Sequence, residues 1–112
     1  MKLRVVEQSD QVTHIALEGD LDVEGVNAIE DKVYFNLTTR RKPAIVEMSA
    51  VNFAGSLGIG MLVRVAQSLK RQGCGMVLLN PVSKVDESLC FTNIHMVIPI
   101  VQSRDEALER LR

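Results

Sequence analysis

Ser56 stands in the stretch Phe53-Ala54-Gly55-Ser56-Leu57-Gly58-Ile59-Gly60, where three glycines fall within six residues and Ser56 is the one hydroxyl. So few side chains between an apolar run and an amphipathic segment describe a tight loop that opens a helix. At a helix start, unpaired N–H groups and the positive end of the dipole favour an oxygen acceptor or an anion. Ser56 is thus either an N-cap closing its own helix or an exposed hydroxyl offered to another molecule. Several chemistries can be tested against this spacing. A phosphate-binding P-loop would need Lys where Met61 stands and Ser or Thr where Leu62 stands. A dinucleotide fingerprint would need its third glycine at Val63. Ala54-Gly55-Ser56-Leu57-Gly58 approximates a nucleophile elbow, and Asp86 and His95 follow in the hydrolase order. Against hydrolysis, 112 residues leave out about half of the sheet and the lid such an enzyme uses, and no spacing brings Asp86 or His95 to Ser56. Asp20 and Asp22 could suggest paired carboxylates or a metal, but a turn acid and an N-cap suit their positions better. Cys74 and Cys90 match no CxxC or Cys/His ligand spacing. His14 lies in a strand pattern and His95 in a polar loop, so both are expected at the surface or a sheet edge. No catalytic residue, metal or cofactor is expected.

The elements that position Ser56 can be read outward from it. Ala44 to Met48 is an apolar strand that delivers the chain to the loop. Beyond it, Ile59, Leu62, Val63, Ala66 and Leu69 form a helical stripe reaching Arg71, with Arg64, Gln67, Lys70 and Arg71 in water and Met61 and Val65 on the exposed flank. Gly73 stops this helix, and Met76-Val77-Leu78-Leu79 is a strand covered on both faces. Upstream, Leu3 to Val6 and Val12 to Leu17 form a hairpin that ends at Gly19-Asp20-Leu21-Asp22. Asp22 then caps a helix from about Val23 to Thr38, with Val26, Ile29, Val33 and Leu37 inside. Arg40-Arg41-Lys42-Pro43 is a solvated basic turn. Downstream, Val82, Val85, Leu89 and Phe91 line a short helix, Met96 to Ile98 a short strand, and Ser103-Arg104-Asp105-Glu106 opens a last helix with Ala107, Leu108 and Leu111. The order β-β-α-β-α-β-α-β-α predicts an α/β layer fold in which Ser56 lies at the carboxyl end of a strand, where such sheets place their sites.

Composition narrows the partner. A chain of 112 residues with 46% hydrophobic content suits one domain, residues 1–112, with one core. Thirteen basic and fourteen acidic residues leave a net charge of −1, so no overall field gathers nucleic acid or anionic membrane. No signal core and no apolar run of 18 residues occurs, which predicts a cytoplasmic protein with reduced thiols and no membrane insertion.

With these residues in view, the chain resembles the STAS family, the sulfate-transporter and anti-sigma-factor-antagonist domains. The resemblance covers nearly the whole chain and is carried by three segments. They are Gly19-Asp20-Leu21-Asp22 after the second strand, Ile45-Val46-Glu47-Met48-Ser49 with Val51 and Phe53 before the loop, and Gly55-Ser56-Leu57-Gly58-Ile59-Gly60. It implies a mixed sheet of four or five strands opened by a β-hairpin, about four helices, and no catalytic activity. It also implies a partner, an anti-sigma factor or serine kinase of the partner-switching type, that docks at the serine loop and the following helix. Ser56 is carried over as the phosphoacceptor. Asp20, Asp22, Gly55, Leu57, Gly58, Ile59 and Gly60, with Met61 and Val65 as apolar contacts, form the expected partner surface, alone or within a homo-oligomer or larger sensory assembly. The chain departs from the family pattern at Gly55, where an aspartate is usual, at Leu57, where Ser or Thr is common, and at Glu47, where the family strand carries aspartate. The alternative role is an unphosphorylated STAS-like subunit of an ABC-type transport system.

Overall fold

The computed structural model describes residues 1–112. Strands β1 (Lys2–Gln8), β2 (Thr13–Leu21), β3 (Ala44–Ala54), β4 (Met76–Leu79) and β5 (Ile100–Val101) form one sheet in that spatial order. The β1–β2 hairpin is antiparallel and every later pair is parallel. Helices α1 (Val23–Thr38), α2 (Ser56–Arg71), α3 (Ser83–Phe91) and α4 (Arg104–Arg110) occupy the connections and the end of the chain. This is the mixed sheet opened by a hairpin that the sequence predicts.

Alternation along the central strands explains why both faces are covered. In β3 and β4, Ala44, Val46, Met48, Met76 and Leu78 join the main core, which also holds the inner residues of α1, α2 and α3. Ile45, Val77 and Leu79 point the other way and meet Val101 of β5 and Ala107 of α4. A strand with helices on both sides must be apolar at every position, and Met76–Leu79 is.

Four local expectations need correction. The buried arc of α2 is rotated toward α1, so Met61 and Val65 are fully buried while Val63 and Ala66 are only partly so. The cause is α1 alongside: Gln72, in line with Met61 and Val65 on the helical wheel, donates from Nε2 to Thr38 O at 2.8 Å, and Arg64 pairs with Glu30 at 2.9 Å. Second, Met96–Ile98 is no strand. Asn93 turns left-handed at φ 61°, and a 3-10 turn over Ile94–Met96 buries Ile94 and Ile98, an i, i+4 pair, before β5 begins. Third, only Val85 and Leu89 are buried on α3; Val82 is its N-cap, and both Val82 and Phe91 are exposed.

Fourth, His14 is not at the surface but 4% exposed on a central strand. Its Nε2 meets Glu47 Oε1 at 3.0 Å and its Nδ1 meets Arg104 Nη1 at 2.9 Å. A guanidinium can only donate, so Nδ1 accepts and Nε2 carries the hydrogen given to Glu47. Arg104 also pairs with Glu7, and Ser49 donates to the other Glu47 oxygen at 3.0 Å. The network ties the start of α4 to β1, β2 and β3. The basic turn is likewise anchored: Arg40 donates to the Thr13 hydroxyl at 2.8 Å and to Ser9 O at 2.5 Å, fixing the hairpin turn against the end of α1.

Candidate functional site

The site is built where β2 and β3 end together. Leu21 pairs with Ala54, Asp20 with Phe53, and Gly55 N–H donates to Leu21 O at 3.1 Å, so both chains leave the sheet at one level. From there α1 starts on one side and α2 on the other. Asp22 caps α1, its carboxylate accepting from Gly25 N–H at 2.8 Å. The N-cap of α2 is Gly55, which makes no side-chain cap bond, and Ser56 is the first helical residue. The first intrahelical bond is donated by Ile59 N–H to Gly55 O at 3.0 Å, so the N–H groups of Ser56, Leu57 and Gly58 precede it.

The loop glycines do different work. A Cβ on Gly58 would lie 2.7 Å from Leu21 Cβ and 2.9 Å from Leu21 O, so glycine is what lets α2 begin directly on the end of β2. Gly55 has φ −89°, which any residue adopts; a side chain there would meet the Phe53 ring at 3.0 Å. The Cβ of a residue at Gly60 would approach only the tip of Arg64, at 3.3 Å.

Ser56 itself is exposed and its hydroxyl makes no hydrogen bond within the chain. It stands between two clefts. One, of about 290 Å³, is lined by Leu21, Asp22, Val23, Phe53, Gly55 and Leu57 as well as Ser56. The other, of about 370 Å³, runs between α2 and α3 and is lined by Ala54, Ile59, Glu87, Ser88, Phe91 and Thr92 with Ser56. Neither wall contains Lys or Arg. The first cation of α2, Arg64, is held by the Glu30 carboxylate, whose hydrogen bond raises its pKa further above the ordinary arginine value.

The expected site residues therefore separate. Asp20, Asp22, Gly55, Ser56 and Leu57 cluster at the sheet end, Gly58 and Ile59 form the floor beneath them, and Gly60 is half-buried behind. Met61 and Val65 lie in the core, so the fold closes them to a partner. The exposed apolar groups around Ser56 are instead Val23 at 57%, Phe53 at 47% and Leu57 at 50%, with Phe91 at 90% across the α3 cleft. Of these, Leu57 is among the residues expected from the sequence, whereas Val23, Phe53 and Phe91 are not, because they sit at helix or strand ends, where hydrophobic periodicity does not report exposure. Asp86 and His95 make no hydrogen bond to Ser56 and line neither cleft, so the elbow-like spacing assembles no triad. No group of three or more His, Cys, Asp or Glu side chains is placed to hold a metal ion.

Comparison with known proteins agrees with this architecture. A relative from Thermotoga maritima, provisionally named an anti-sigma factor antagonist, is 24% identical over 104 residues, 92% of each chain. The crystal structure of an anti-sigma factor antagonist from Mycobacterium paratuberculosis has a TM-score of 0.84 at 21% identity, over 99% of this chain and 95% of that one. The Bacillus antagonist SpoIIAA is similar in both its unphosphorylated and phosphorylated structures. Their TM-scores are 0.75 and 0.70, at 22% and 21% identity, over 97% and 99% of this chain and 95% and 100% of theirs. The STAS domain family model matches residues 4–107, and the chain belongs to that family.

Proposed function

We propose that this STAS protein is an anti-sigma factor antagonist, a cytoplasmic and non-enzymatic binding module. It docks an anti-sigma factor at the Ser56 loop and releases it when a serine kinase of the partner-switching type phosphorylates Ser56. The observation that carries the reading is the free, exposed hydroxyl at the first position of α2, ringed by Val23, Phe53 and Leu57. Similarity to a relative solved in phosphorylated and unphosphorylated forms supports it. The proposed contacts are Asp20, Asp22, Gly55, Ser56 and Leu57, with Gly58, Ile59 and Gly60 as the seat beneath.

The physics of release follows from the site. Phosphorylation adds a charge of about −1.5 to −2. In the free protein the start of α2 tolerates it, since an anion at a helix N-terminus gains roughly 0.3–1 kcal/mol. In a complex the phosphate would be desolvated between clefts whose charged lining residues, Asp22 and Glu87, are both acidic. An unpaired buried charge costs several kcal/mol, and each 1.4 kcal/mol weakens binding tenfold. The relatives described above are named as anti-sigma factor antagonists, which favours this role over that of a transport subunit. Phosphosite mapping after incubation with the kinase and ATP tests it: Ser56 should carry the phosphate, and Ser56→Ala should take up none. Modification at another residue, undiminished in Ser56→Ala, would reject the proposal.

A further inference from the structure

The cleft between α2 and α3 carries a chemistry of its own. Its floor is Ala54 and Ile59, one wall ends in the carboxylate of Glu87, and Phe91 stands at its mouth with 90% of its surface in water. Glu87 has no ion pair within the chain, and no cation lines the cleft. An aromatic face beside an unmatched carboxylate over an apolar floor suits one side chain best. Arginine has a guanidinium that pairs with a carboxylate in two bonds and stacks on an aromatic ring, and a stem that covers apolar surface. Lysine offers only a point charge, and a purely apolar group would leave Glu87 desolvated without a partner.

We infer that the α2–α3 cleft is a specificity pocket for an arginine of the partner protein, with Glu87 pairing its guanidinium and Phe91 covering it. This rests on the reading of Ser56 as the centre of the docking surface and extends that surface to α3. The cleft is compatible with release by phosphorylation. One arginine matched to Glu87 in the unmodified complex leaves the added charge on Ser56 unmatched.

The probe is the blocked tripeptide acetyl-Leu-Arg-Leu-amide, titrated into the 15N-labelled full chain, with the Lys and Glu versions as controls. Amide shifts at Ser56, Glu87, Ser88 and Thr92 should follow one saturating curve with the Arg peptide. Affinity should fall at least threefold with Lys and vanish with Glu. Phe91→Ala and Glu87→Gln should each weaken the Arg peptide at least threefold while the melting temperature stays within about 2 °C, because neither side chain is in the core. Equal shifts from the Arg and Glu peptides, shifts away from these residues, or binding unchanged in both variants would overturn the inference. So would a drop in the protein's own sedimentation coefficient in Phe91→Ala, which would mean that a second copy covers the cleft. Failure here leaves phosphorylation at Ser56 standing. Failure of phosphate incorporation would sink the switch while leaving the peptide result intact.

Discussion

Gly58 and Gly60 lie two residues apart in the first turns of α2, and alanine at each should move stability in opposite directions. At Gly58 the new methyl would fall 2.7 Å from Leu21 Cβ and 2.9 Å from Leu21 O, and Leu21 is fully buried. Either α2 lifts from the sheet or the end of β2 yields. Overpacking of this kind costs about 1–3 kcal/mol, against a helix-propensity gain of at most about 1 kcal/mol. Because a buried Cβ and a backbone oxygen must both yield, the upper part of that range applies, about 2–3 kcal/mol, and Gly58→Ala should lose roughly 1–2 kcal/mol net. At Gly60 the methyl meets only Arg64 Nη1 at 3.3 Å, the end of a long side chain that can swing aside. The propensity term then dominates, and Gly60→Ala should gain up to about 1 kcal/mol. Urea unfolding with linear extrapolation measures both, and an unchanged m-value shows that the effect is on folded-state stability. Because displacement of α2 moves its first residue, Gly58→Ala should also slow phosphorylation of Ser56. Equal stability of Gly58→Ala and the parent, or a loss above about 1 kcal/mol in Gly60→Ala, would refute the description of how α2 is seated.

The core of α2 can be checked by Met61→Ala and Leu62→Ala, which should each cost about 2–5 kcal/mol in the same titration; a loss under about 0.5 kcal/mol at Met61 would mean that this side of the helix faces solvent. Gly55→Asp restores the carboxylate usual before the phosphoacceptor, and φ −89° imposes no backbone penalty, so once the Phe53 ring turns aside the phosphorylation rate should rise. A fall in the rate would show that the open loop is what the kinase requires. Partial desolvation, and then the Asp86 carboxylate 3.8 Å away, push the Cys90 thiol above its ordinary value. A raised thiol pKa means less thiolate at a given pH, so Asp86→Asn should speed alkylation of Cys90 at pH 8 and should do nothing at Cys74.

Strong periodicities were legible in the sequence. The helix from Val23 to Thr38 with its Asp22 cap, the strand Met76–Leu79, and the turn into α2 at Gly55-Ser56 all lie where local signals put them. Contacts that depend on a second element were not. The side of α2 that α1 covers cannot be read from α2 alone, because Met61 and Val65 are hydrophobic whether they face the core or a partner. His14 is invisible for the same reason: its partners are 33 and 90 residues away, and only the fold makes them neighbours. Met96 to Ile98 has strand composition, yet the left-handed Asn93 and the spacing of Ile94 and Ile98 decide for a turn. In the candidate site, Ser56 and its glycines were readable from composition. The ring of Val23, Phe53 and Phe91 was not, since helix ends and strand ends break the periodicity by which exposure is judged.

The central claim is that an anti-sigma factor binds at Ser56 and that charge on this residue releases it. Titration of the purified anti-sigma factor against the parent chain and Ser56→Asp by calorimetry tests it most directly. Affinity should fall at least about a hundredfold in Ser56→Asp, equivalent to ~2.7 kcal/mol, while folding stability changes by less than about 1 kcal/mol. Equal affinity of the two proteins for the same anti-sigma factor would contradict the account.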